Sequence, residues 1–404
     1  MMAAATVCEN YSENEVFLIE RNTDLGRKVK ISGGGRCNVT NGFVEGSRIL
    51  LNYPRGGKFL HSAMAQFMPS DVQYWFERHG VPLKTESDGR VFPKSDDGAD
   101  VVRVFEKMFR SAGVRLMTGQ AVSGIERGSG GFVITLDGVR KPVEVDRVIL
   151  TTCGQAYRHT GSQGDGYNFA EALGHSITPL APSLSSFMVK EDWTGEVSGV
   201  SFAEARVSVK GDAKRSHLGP FMFTHRGVTG PAVFALSALT AFEKIDQSHP
   251  LPVTVDLQPE VSEAELAKKI VEASNEQPAR FFANTLATFI PKSLAEICCR
   301  LVKIPDDRHS GKVGKRDAAK CAAWIKGVPL SVVSRPAGDE FVTAGGVDLS
   351  EVNPSSMESK VTPGLFLAGE ILDIDGFTGG FNLQSAWCTG RLAGISAGTR
   401  KEQD

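Results

Sequence analysis

Val16-Phe17-Leu18-Ile19 is an unbroken apolar run closed by Glu20. A run without polar alternation reads as a parallel strand buried on both faces, here with an acid at its carboxyl end. Ahead of it, Met2 to Cys8 (MAAATVC) has the composition of a helix body, and Arg147 to Thr152 (RVILTT) repeats the buried-strand pattern. Strands alternating with helical stretches and Gly-rich turns continue to about residue 185, which predicts an α/β sheet. The pattern then changes. Between Val197 and Leu257 the segments ARVSVKG, GPFMFTH and LPVTVDL are β-rich and separated by Gly and Pro, predicting an inserted antiparallel sheet or barrel. Ser262-x-x-Glu265 is a capping box ahead of Leu266, Ile270 and Val271, and helical patterns recur through Ala322. From about Ser334 the α/β style returns, with Gly364 to Gly369 (GLFLAG) as a strand and Ser385 to Ala397 as a helix.

The economical arrangement is one α/β domain built from both ends of the chain. Residues 1–188 form its first part, 189–260 a β-rich insert, 261–325 a helical subdomain of that insert, and 326–404 the end of the insert and the return to the α/β domain. A length of 404 residues suits such a division. The 43 glycines cluster in short runs, which points to ligand sites lined by backbone. A net charge of −2 gives no global attraction to polyanions, so nucleic acid is not an expected partner and the basic stretch Arg308 to Lys320 reads most simply as a solvated helical surface. Phosphate or RNA contact is its alternative reading. Seven scattered cysteines do not make a disulfide framework, and no apolar run is long enough to span a membrane. With no leader-like start, a cytoplasmic location is the expectation.

Three clusters can carry chemistry. The first, Leu25 to Asn41 (LGRKVKISGGGRCNVTN), follows Glu20, an acid placed to hold a ribose hydroxyl. Its glycines let backbone N–H groups approach a ligand, Arg27, Lys28 and Arg36 can supply charge, and Ser32, Asn38 and Asn41 neutral hydrogen bonds. The second, Gly364 to Gly394, ends a strand at Gly369-Glu370 and opens a helix after Asn382. The partial positive charge of a helix start suits the negative edge of a reduced ring. Asp373 and Asp375 read as turn-shaping residues. The third, Thr151 to Tyr167 (TTCGQAYRHTGSQGDGY), sets Gly154 and a tight polar loop beyond another strand, with Cys153 a free thiol. His225, in FTHRGVTGP, reads as a structural histidine in a β-turn. HExxH, zinc-finger cysteine spacing, GxSxG and GxxxxGK[ST] are all absent from the sequence, and no metal site is expected.

Taken together, GRKVKISGGGRCNVTN, GRVFPKSDDGADVV, GSQGDGY, FTHRGVTGPAV, TAGGVDLSEVNPSSMESK and GLFLAGEILDIDGFTGGFNLQSAWCTGRLAG resemble the BaiN/YhiN-like flavoprotein family, also labelled aminoacetone-oxidase-like. The resemblance runs from about residue 3 to residue 398 in consistent order. It implies a Rossmann-type FAD-binding domain of the glutathione-reductase class, interrupted by a β-barrel-like insert with a helical subdomain. By position, Glu20 would hold the adenosine ribose and Val122 would meet adenine through its backbone. The Ser32 to Asn38 loop, with Ser32, Gly33, Gly34, Arg36, Cys37 and Asn38, would lie along the pyrophosphate and flavin. Gly369 and Glu370 would contact the ribityl end, Gly154 could permit close cofactor approach, and Gly380, Phe381, Asn382 and Leu383 would present backbone N–H groups to the flavin pyrimidine edge. The site is expected to open toward the insert.

Two departures from the family pattern matter. Members begin with a strand and a GxGxxG turn, neither of which precedes Val16 here, so coding sequence for both is expected ahead of Met1. That strand would be central in a 3-2-1-4-5 sheet and would neighbour Val16 to Ile19. Where members tend to read ATGG this chain reads TTCG, putting Cys153 at a glycine position. The function implied is an FAD-dependent oxidoreductase moving hydride or electrons between a small molecule and the flavin, with NAD(P)H or oxygen as electron partner. No second GxGxxG argues for a nicotinamide domain, and no side-chain pair identifies a catalytic acid or base. The alternatives are a truncated or degenerate non-catalytic scaffold and, less favoured by the net charge, an FAD-dependent RNA-modifying protein.

Overall fold

Helix α1 (Met2–Asn10) leads into strand β1 (Phe17–Glu20), short helix α2 (Arg27–Ile31) and helix α3 (Gly98–Ala112) in a computed structural model that describes residues 1–42 and 46–399. α3 shows how local sequence sets an element. Val101, Val102, Phe105 and Phe109 recur at helical spacing and are all fully buried. The Asp97 side chain caps the start by accepting from the Ala99 N–H at 2.8 Å, and Gly113 ends the helix with φ of +70°. Burying each of these side chains contributes about 1.5–3 kcal/mol.

Strand β2 (Arg115–Thr118) follows and pairs in parallel with β1, Glu20 opposite Thr118. Strand β3 (Val122–Arg127) opens an antiparallel meander with 132–136 and 143–145. Strand β4 (Val148–Leu150) precedes helix α4 (Asp165–Ala172) and strand β5 (Ala181–Ser183). After the insert come strand β6 (Val342–Ala344), which pairs with β5, strand β7 (Leu365–Leu367), which lies parallel to β4, and helix α5 (Phe381–Gly398). The parallel strands thus form two separate pairs, β1–β2 and β4–β7. Every residue of β1 is only half-buried, where the apolar run predicts burial on both faces. Among the described residues β2 is its only hydrogen-bonded neighbour, so its other edge is uncovered by sheet.

α1 lies against α5 through glycines four residues apart. A Cβ on Gly394 would stand 2.6 Å from the Ala3 carbonyl oxygen, and one on Gly398 would stand 2.1 Å from Tyr11 Cδ2. Glycine inside a helix costs roughly 0.5–1 kcal/mol, and here it permits backbone-level approach. α5 opens at Phe381, slightly before the position expected from sequence, because Gly380 with φ of +94° starts the turn. Phe105 stacks on Trp387 of α5 with ring centroids 5.9 Å apart.

The chain divides into two compact units, residues 1–183 with 341–404, and residues 184–340. In the second unit, strands Phe187–Val189, Gly227–Thr229, Asp212–Thr224, Ser201–Val209, Leu251–Asp256 and Val328–Ser334 close a six-stranded antiparallel barrel in that order. The barrel draws strands from either side of the 189–260 segment. That segment also holds a helix, Pro231–Leu239, whose uniformly apolar PAVFALSAL has no periodicity to distinguish it from a strand. Four helices, Glu263–Glu276, Phe282–Leu286, Lys292–Leu301 and Lys315–Lys326, form the helical part, with Ser262 Oγ accepting from the Glu265 N–H at 3.2 Å.

Candidate functional site

Glu20 ends β1 with one carboxylate oxygen already placed. Oε1 accepts from the Asn22 backbone N–H at 2.8 Å and from Asn22 Nδ2 at 2.7 Å, while Oε2 takes no hydrogen bond among the described residues. Asn22 also donates to the Thr160 carbonyl at 2.9 Å, so the acid is held rigidly with an open face. The Gln120 N–H donates to the Glu20 carbonyl at 3.1 Å, and β3 begins two residues later, which brings Val122 to the same end of the sheet.

The loop after α2 turns on Gly33, Gly34 and Gly35, with φ of +58°, +72° and +89°. Three successive left-handed residues are accessible to glycine and strongly disfavoured for other residues. A Cβ on Gly33 would stand 2.9 Å from the Asn38 nitrogen, whereas Gly34 and Gly35 face open space. Ser32 donates to the Val29 carbonyl at 2.8 Å and closes the helix. Asn38 Oδ1 accepts from the Val91 N–H at 3.3 Å. Cys37 is fully buried, and burial pushes its thiol up to about 12. Of the three cations expected to supply charge, Arg27, Lys28 and Arg36, two are engaged locally. Arg27 pairs with Asp24 at 2.8 Å, and Arg36 pairs with Glu86 at 2.7 Å while lying 3.8 Å over the Phe92 ring.

Lys28 is the third, and it reaches Glu370 at 2.8 Å. Burial works against the ammonium, but Glu370 and, more weakly, Cys153 and Tyr157 more than offset it and hold Lys28 above its ordinary range. The other Glu370 oxygen accepts from the Thr343 N–H at 3.0 Å. Thr343 Oγ1 in turn accepts from the Gln155 N–H at 2.7 Å and the Ala156 N–H at 3.2 Å. A Cβ on Gly154 would stand 2.5 Å from that hydroxyl, so only glycine fits. Cys153 adopts φ of +62°, the left-handed backbone that suits the family's glycine. Its thiol is pushed up by burial, with Lys28 opposing. Tyr167 of α4 is buried with its hydroxyl unpartnered, and burial together with Glu370 raises it. Lys28, Cys153, Gly154, Thr343 and Glu370 therefore form one cluster at the ends of β4 and β7.

The N-terminus of α5 lies beyond Gly369, which has φ of +79° and donates to Thr389 Oγ1 at 3.0 Å. A Cβ on Gly380 would stand 2.4 Å from the Thr40 backbone. Thr40 Oγ1 donates to Gln384 Oε1 at 2.6 Å, and Trp387 Nε1 donates to the Val39 carbonyl at 2.9 Å, clamping residues 39–41 against the helix. Tyr53 OH donates to the Phe381 carbonyl at 2.8 Å. The Asn382 side chain bonds both backbone groups of Gly376 at 2.8 Å and closes the preceding loop. Phe381 is buried and Leu383 half-buried. No side chain caps α5, so its first N–H groups point outward without intrahelical acceptors. Asp375 is fully buried, gripped by Arg55 through Nε at 2.5 Å and through Nη2, and by Ser183 Oγ at 2.6 Å. It ties its loop to Arg55 and Ser183. Asp373 keeps a buried Oδ1 without a partner, and burial raises its carboxyl.

These residues fit FAD. An acid with an open oxygen suits a ribose, the open space over Gly34 and Gly35 admits a ligand against bare backbone, and the uncapped start of α5 favours negative charge. Sequence reasoning missed Asn22, Thr343, Thr40, Gln384 and Tyr167. Their roles come from partners far along the chain, and nothing in their local sequence marks them. In the second unit, His225 sits exposed in the turn between Thr224 and Gly227. Beside that turn is a cavity of about 360 Å³ lined by residues including Ser186, Phe187, Thr224 and Arg226. Among the described residues no three His, Cys, Asp or Glu side chains are grouped to hold a metal, and no helix is long and apolar enough to cross a membrane.

The fold resembles that of 3-ketosteroid delta1-dehydrogenase from Sterolibacterium denitrificans, with a TM-score of 0.51 at 12% identity over 98% of this chain and 97% of that one. The class, a flavin-dependent oxidoreductase built on a Rossmann-type FAD-binding domain that a barrel interrupts, rests on the family and the relatives and not on this likeness of fold. The chain belongs to the HI0933-like protein Rossmann domain family, whose model matches residues 1–396. It is 30% identical over 405 aligned positions to the 3-dehydro-bile acid delta(4,6)-reductase of Clostridium scindens, covering 99% of this chain and 97% of that protein. It is also 30% identical to the ribosomal RNA dihydrouridine synthase of Escherichia coli K12, covering 92% and 89% of the two chains.

Proposed function

We propose that this protein is a flavin-dependent reductase that places hydrogen across a carbon–carbon double bond conjugated to a carbonyl. The names of both relatives describe that chemistry, one on an unsaturated keto steroid acid and the other on the uracil ring. FAD, when bound, supplies the hydride, and NAD(P)H is the electron donor consistent with net reduction. Oxygen would instead serve an oxidase direction.

The observation that carries the reading is the uncapped start of α5 at Gly380, packed against the Thr40 backbone. N–H groups of Phe381, Asn382 and Leu383 would stabilise the negative charge that a reduced flavin carries on its pyrimidine edge. Glu20 would accept from the ribose hydroxyls, the Gly33 to Gly35 backbone would lie along the phosphates, and Lys28 would add positive charge. Gly369, where a Cβ would meet only Ala386 at 3.8 Å, leaves room for the ribityl chain.

The test is anaerobic reduction of the FAD-loaded protein by NADPH, followed by addition of a conjugated enone. Bleaching by NADPH and recovery of the oxidised flavin spectrum by the enone support the reading. A loaded protein that the enone leaves reduced, while oxygen reoxidises it rapidly, overturns the reductase assignment.

A further inference from the structure

The helical part of the second unit carries a surface that flavin chemistry does not use. Between Gln277 and Lys326 there are ten Lys and Arg against four Asp and Glu, a net charge of +6 in a chain whose total is −2. Folding gathers part of that charge around aromatic rings. Phe281 and His309 are bridged across two extended segments, with the Phe282 N–H donating to the Arg308 carbonyl and the Ser310 N–H to the Arg280 carbonyl, each at 2.8 Å. This sets Arg280-Phe281 beside Arg308-His309. The Phe281 side chain is 49% exposed, and its ring stacks on His309 with centroids 5.0 Å apart and planes 20° from parallel.

Further along, Lys312, Lys315 and Arg316 are exposed, and neither they nor Arg308 pair with any carboxylate among the described residues. Asp306 and Asp307 precede Arg308 without pairing to it, and Asp317 is taken up by Lys320 at 3.4 Å. An ordinary solvated surface intersperses both signs and hides its large rings. Unpaired cations around an exposed stacked pair are instead the combination that binds unpaired nucleotides, with phosphates on the cations and a base on the ring face. An acidic peptide would engage the cations and leave the rings unused. A duplex keeps its bases stacked inside.

We propose that this face binds single-stranded RNA, stacking a base on the Phe281–His309 pair and neutralising phosphates with Arg308, Lys312, Lys315 and Arg316. The binding does not require RNA to be the molecule reduced, so it is read without turnover and separately from FAD uptake. In fluorescence anisotropy with the full chain and a labelled oligouridylate of about 16 nucleotides, neutralising four phosphates predicts an affinity loss of about 50-fold between ~50 and ~200 mM salt. Phe281→Leu should weaken binding about ten-fold without changing that salt dependence. Changing Lys312, Lys315 and Arg316 together to Gln should flatten it. FAD binding and thermal unfolding should be unaltered in both variants, which separates loss of the surface from loss of the fold. Absence of oligouridylate binding by a protein that takes up FAD overturns the proposal. So does equal binding of duplex RNA with no effect of Phe281→Leu, or binding only to phosphatidylserine vesicles.

Discussion

The Lys28 ammonium stands 2.8 Å from the Glu370 carboxylate and joins two residues 342 positions apart in the chain. Both side chains are largely enclosed, so removing the cation leaves a carboxylate without its counter-charge in a poorly solvated place. Lys28→Met is expected to cost about 2–3 kcal/mol of stability, less than a fully buried pair would. It should also weaken FAD binding about ten-fold through repulsion between Glu370 and the phosphates. Folding raises the Lys28 pKa above its unfolded value of about 10.4, so its contribution is complete below that pH and is lost as pH climbs through the folded value. Denaturant unfolding at rising alkaline pH should show this loss in the wild type. A Lys28→Met protein with the same alkaline loss would contradict the assignment.

Cys153 holds a left-handed backbone that glycine adopts freely. Cys153→Gly is expected to leave stability within about 1 kcal/mol of the wild type, since relief of strain offsets the added freedom of the unfolded chain. FAD uptake should be preserved or improved. Because burial pushes the thiol up, iodoacetamide should label Cys153 slowly at neutral pH and faster as pH rises. Rapid neutral labelling, read by peptide mass spectrometry, would contradict the described environment.

Gly394 packs where any side chain would meet the Ala3 carbonyl. Gly394→Ala is expected to push α1 from α5 and cost about 1–3 kcal/mol, seen as a lowered midpoint in thermal unfolding. An unchanged or raised midpoint would mean that the helices do not approach so closely.

What the sequence disclosed and what it hid divide along a physical line. The apolar runs at Val16 to Ile19 and Arg147 to Thr152, the Ser262 cap and the Gly33 to Gly35 turn are local, and local patterns specify them. The glycines of α5 read as ordinary small residues until α1 is placed beside them. Thr343 lies in a Gly-rich stretch, and only folding brings it to Gly154 and Glu370. Arg36 looked like a ligand cation because Glu86 and Phe92, which engage it, lie far along the chain. The half-buried state of β1 is legible only through the family pattern, which sets a further strand beside Val16 to Ile19, since an apolar run states which residues seek cover and not whether a neighbouring strand supplies it.

The most direct test of the central claim, that the residues around Lys28, Glu370 and Gly380 hold FAD, is titration of the purified protein with FAD, followed by visible absorption after removal of free flavin. The account predicts stoichiometric retention with a spectrum shifted from that of free FAD, weakened by Lys28→Met and by Gly380→Ala. A protein that is folded by circular dichroism yet retains no flavin, or one whose retention neither substitution alters, would contradict it.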